Sequence, residues 1–71
     1  MIKAVNIKPY RFGKLGNMAY SKGFAMLDTD TNEFLSADGK FPYVLETKKI
    51  IQSCIDAGWE DILRKRVKCF R

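Results

Sequence analysis

A chain of 71 residues with a formal charge of +5 and 46% hydrophobic residues reads as one small basic domain spanning residues 1–71. That apolar share excludes the disordered class, and no run approaches the roughly 18 apolar residues that a membrane span requires. Cys54 and Cys69, with no histidine anywhere, exclude the usual zinc patterns and give no disulfide framework. The start, Met1 to Asn6, lacks the apolar stretch of a signal peptide. The sequence therefore predicts a reducing, cytoplasmic setting with two unpaired thiols. A domain of this size buries only about 60% of the surface its unfolded chain exposes, so a few kcal/mol separate folded from unfolded.

Ile2 to Lys8 reads as a first strand, with Val5 and Ile7 on one side of a period-two pattern and Pro9 ending it. Tyr10 to Asn17 holds two glycines and two bases and reads as a loop. Met18 to Asp28 is a second strand, in which Met18, Tyr20, Phe24 and Met26 share parity and Gly23 marks a bulge or a close backbone approach. Asp28 to Asn32 is turn chemistry, because Asp, Thr and Asn side chains bond their own backbone. Glu33 to Ala37 returns as a third strand, Asp38-Gly39 turns again, and Phe41 to Val44 adds a brief edge strand. Pro42 keeps that last segment out of a sheet centre.

Ile50, Ile51, Cys54 and Ile55 form one stripe on a 3.6-residue period and predict a helix over about Thr47 to Ala57. Thr47 caps its start, and Gly58 stands where a left-handed terminating residue belongs. Lys48 and Lys49 in the first turn oppose the helix dipole. Beyond it, Trp59 to Phe70 fits either a helix or an alternating strand; a short helical turn followed by a strand is the expected arrangement. The fold class is thus α+β, a small antiparallel sheet of three to four strands with one main helix packed on one face. The acidic hairpin projects from that body.

Charge is segregated along the chain. Met1 to Phe24 carries +5, Ala25 to Thr47 carries −4, and the remainder carries +4. Asp28-x-Asp30-x-Asn32 resembles the opening of a calcium loop, but Glu33 stands where that loop needs glycine and Gly39 where it needs glutamate. A hairpin turn explains the acids better, and no metal or cofactor is expected. Cys54 falls on the apolar stripe and reads as a core residue, since no histidine is present to activate it. Gly13 and Gly16 form a GxxG, yet the helices that flank a backbone-clamping loop of that kind are replaced by strand-like segments. Neither the carboxylate pairs nor the thiols add up to catalytic machinery, so the chain is not expected to be an enzyme.

Two basic segments remain. Residues 10–14 interleave aromatics with charge, and residues 64–71 pack five bases into eight positions. A solvated face that keeps a small protein soluble accounts for both as well. Their candidate binding residues are Tyr10, Arg11, Lys14, Arg64, Arg66, Lys68 and Arg71. The function read from them is a non-catalytic binding module that docks on a larger partner protein and masks or modulates it. The expected partner is a larger protein with an acidic surface, or a nucleic-acid–protein complex, and no membrane is involved. Direct nucleic-acid binding by the two segments is the alternative. It is disfavoured by the five acids between them, which repel phosphates.

Overall fold

The computed structural model describes residues 1–12, 18–19 and 22–69. Four antiparallel strands make the main sheet: β1 (Ile2–Asn6), β4 (Phe24–Asp28), β5 (Glu33–Ser36) and β6 (Lys65–Lys68), side by side in that order. A separate two-stranded ribbon, β2 (Arg11–Phe12) with β3 (Met18–Ala19), lies between β1 and β4 in the chain. The helix α1 (Lys48–Asp56) and a 3-10 turn at Trp59–Asp61 lie between β5 and β6. The fold is a small α+β fold, as the sequence predicts, and the ambiguous last segment is a helical turn followed by a strand.

The expected second strand, Met18 to Asp28, is divided. Gly23, at φ +127°, breaks it, and its carbonyl accepts the N–H of Ile7 at 3.0 Å. The segment Phe41 to Val44 does not become a strand either. Leu45 exchanges two hydrogen bonds with Phe24, at 2.8 and 2.9 Å, and Tyr43 N–H donates to Leu35 O at 3.1 Å. This stretch thus ties β4 to β5 beyond Leu27–Phe34, where their own ladder stops. Tyr43 and Leu45 pack on the helix side and Val44 on the other, in strand-like alternation. Tyr43 N–H is already donated to Leu35 O, so among the described residues the Phe24–Leu45 pair stays an isolated bridge.

Period two in the strands sorts the core into two layers. On the helix side Ala4, Met26, Leu35, Ile51, Cys54 and Leu63 are buried together. On the opposite side Ile7, Ala25, Leu27, Phe34 and Val67 are buried, with the Tyr10 ring edge-on to Phe34 at 5.1 Å between centroids. The one main helix packs on one face of the sheet, as the sequence predicts, and the opposite face carries a second buried cluster, against which Tyr10 and Val44 pack. Within α1, Ile51 and Cys54 are buried and Ile55 is half-buried, but Ile50 is 47% exposed and leaves the stripe. Thr47 Oγ1 accepts Ile50 N–H at 3.2 Å and caps the helix, and Gly58 ends it at φ +78°. No helix among the described residues is long and apolar enough to cross a membrane.

Candidate functional site

Strand register gives the sheet two chemically different ends. Ile2, Asp28, Glu33 and Lys68 are partnered at one end, Asn6 with Phe24 and Ser36 with Lys65 at the other. Asp28, Asp30 and Glu33 all lie at or beside the first end. The N-terminal ammonium bonds Asp30 Oδ2 at 2.6 Å, and that bond raises its pKa above the usual amine value, with smaller contributions from Asp28 and Glu60. The hairpin turn is built as its residue types predict. Asp28 Oδ1 accepts Asp30 N–H at 3.0 Å, and Asn32 takes a left-handed φ of +58°.

The second end is rich in lysine. Lys8, Lys22, Lys40 and Lys65 are exposed there, and the chain leaving the Phe24–Leu45 bridge runs into Lys48 and Lys49. The loop carrying Lys40 is fixed from beneath by Ser36, a fully buried hydroxyl. Ser36 Oγ donates to Phe41 O at 2.5 Å and accepts Gly39 N–H at 2.8 Å. Asp38 Oδ1 accepts Lys40 N–H at 2.8 Å and Phe41 N–H at 3.1 Å, which holds its carboxyl below the usual carboxylate range. This acid is therefore directed at its own loop. Gly39 rests on the Lys65 stem, since a Cβ there would stand 3.5 Å from Lys65 Cδ.

The residues singled out from sequence are distributed between these surroundings. Arg64 is exposed and its Nε donates to Asp61 O at 3.1 Å. Arg66, with 28% of its side chain exposed, donates to Leu63 O at 2.8 Å and stands 3.9 Å from Asp28, so it ties β6 to the chain that precedes it. Lys68 is exposed but lies at the acidic end, opposite Glu33. Arg11 is exposed on β2, whereas the Tyr10 ring is packed on Phe34. Lys14 and Arg71 lie outside the described residues, as do Gly13, Gly16, Tyr20 and Phe70. Among the five that are described, Arg64 adjoins the lysine-rich end, next to Lys65. Lys22, Lys40 and Lys65 complete that end. Sequence order sets Lys40 and Lys65 far apart, and only the β5–β6 register, which no spacing rule reveals, brings the Lys40 loop to Lys65.

No protein-family model, curated protein or solved structure matches the chain. Among the described residues no group of three His, Cys, Asp or Glu side chains comes together as a metal site. Cys54 lies under the helix and Cys69 on the opposite face of the sheet, so neither thiol can attack a group held by the other.

Proposed function

We propose that this chain is a non-catalytic binding module that docks on a larger protein through the lysine-rich end of its sheet. One observation carries the reading: register and loop chemistry place Lys40, Arg64 and Lys65 together and exposed, while the neighbouring acid, Asp38, is occupied by its own loop. Such a surface suits an acidic patch on a partner, where charge complementarity sets encounter rate and register. The helix adds to the case. Its first turn holds Lys48 and Lys49 and no acid, an arrangement the helix dipole disfavours and a partner's carboxylates would relieve. A protein partner is favoured over nucleic acid because Tyr10, the aromatic proposed to stack on a base, already packs on Phe34.

The test is the triple variant Lys40→Gln, Arg64→Gln, Lys65→Gln, titrated against a partner captured from the native host at low and physiological salt. The substitutions lie on the surface and should each change stability by no more than about 0.5 kcal/mol. Weaker binding and a flatter salt dependence support the docking surface; an unchanged affinity in a folded variant refutes it. Random-sequence DNA and RNA serve as parallel ligands. Tight binding to these, with the steep salt slope of counterion release, would replace the protein partner with nucleic acid.

A further inference from the structure

A groove of about 460 Å³ opens at the same lysine-rich end, lined by Lys22, Gly23, Val44, Leu45, Glu46 and Ile50. Its floor is fixed. Leu45 is bonded to Phe24 in both directions, and Gly23 is held at its carbonyl by Ile7 N–H. Ile50, on the first turn of α1, is held by the Thr47 cap and leaves 47% of its surface to solvent. A half-exposed isoleucine over an apolar floor is costly in water, at about 25 cal/mol for each Å² left uncovered. The volume lies within the roughly 300–1,000 Å³ of clefts that take small ligands, and is ample for one large side chain.

We propose that this groove is the anchor subsite of the docking surface. It takes one large aliphatic or aromatic side chain, presented by a partner-protein segment whose flanking residues are acidic. The inference rests on the docking reading above and adds its specificity. Charge selects the occupant. Lys22 lines the groove, Lys48 and Lys49 precede Ile50 on the same helical turn, and Glu46 is the one acid among the described lining residues. A second copy of this chain would bring its own lysines to that rim, whereas an acidic segment brings compensating charge. Buried apolar anchors ringed by charged contacts are where binding energy concentrates in protein interfaces.

The probe is the peptide acetyl-Glu-Asp-Leu-Asp-Glu-amide, titrated at low salt into the isotope-labelled chain and followed by NMR. Two controls are run beside it, one with Ser in place of Leu and one with Lys in place of each acid. The leucine peptide should shift the Gly23 and Glu46 amides and the Ile50 methyl, and bind about five-fold or more tighter than the serine peptide. Ile50→Gln should erase that difference while leaving the helix spectrum intact, and Glu46→Gln should tighten binding of the acidic peptide. Equal affinity for the leucine and serine peptides, with shifts confined to lysine amides, overturns the groove and spares the docking surface. No shift with either acidic peptide overturns both. Equal binding of the lysine peptide overturns the acidic occupant. Self-association abolished by Ile50→Gln would assign the groove to a second copy and overturn the proposal too.

Discussion

Replacing Gly23 with alanine isolates the backbone feature on which the sheet's lower edge depends. At φ +127° an L-residue is strained, and holding one in such a region costs about 1–3 kcal/mol. The added Cβ would also stand 2.5 Å from Val44 Cγ1, so Val44 must move away from the strand it packs on. Overpacking of that kind costs about 1–3 kcal/mol more. The sum, roughly 2–6 kcal/mol, rivals the 3–5 kcal/mol or so that a core of this size supplies. Urea unfolding followed by Trp59 fluorescence is a direct assay, because the half-buried indole packs 5.4 Å from the Tyr43 ring. Thermal melts should fall by about 10 °C or more, at 4–8 °C per kcal/mol for a domain of this length. Adding Val44→Ala should return the steric part and leave the backbone part, which a double-mutant cycle separates. A Gly23→Ala chain that melts within a degree or two of wild type, or one that Val44→Ala does not rescue at all, would refute the reasoning.

Three further outcomes are expected. Ile51→Ala should cost about 2–5 kcal/mol because Ile51 is fully buried against the sheet, whereas half-buried Ile55→Ala should cost clearly less; chemical denaturation of both variants checks the order. Arg66→Gln removes the bond to Leu63 O and should cost about 1–2 kcal/mol, while Lys68→Gln, on the same strand but exposed, should leave the melting curve unchanged. Asp38→Asn should flatten the acid limb of stability against pH. The folded carboxyl lies below its unfolded value, so its contribution is present above the ordinary Asp pKa near 4 and disappears as pH falls through the depressed one. An Asp38→Asn chain whose acid limb coincides with wild type's contradicts that linkage.

Much of the framework is legible in the residues. Thr47 and Gly58 announce both ends of α1, alternation announces β1, β4 and β5, and the turn at Asp28–Asn32 follows from its side chains. What sequence does not disclose is long-range. Nothing local says that β1 pairs with β4 across the ribbon, or that Leu45 bridges to Phe24, because both depend on which excursion covers which face. Ile50 satisfies the helical period yet faces solvent, since the period fixes a stripe and not its width. Ser36 shows no sign of burial in its own triplet; its partners, Gly39 and Phe41, come from a loop that closes over it. The candidate surface is hidden for the same reason. Lys40 and Lys65 become neighbours only through the pairing of β5 with β6.

The sheet also acts as a partition between the chain's two thiols. Cys54 belongs to the half of the interior roofed by α1 and Cys69 packs against the half that holds Ile7, Phe34 and Val67, with the strand layer between them. An oxidant cannot join them while the sheet stands, so a disulfide within the chain would report unfolding and not a redox switch. Each sulfur is accordingly a separate witness. Alkylation at buried Cys54 records the lifting of the helix, whereas Cys69, half-buried and donating from Sγ to Asn32 O at 3.5 Å, is open to a reagent in the folded chain. The rate at Cys54, set against that at Cys69, reads out how often the helix opens.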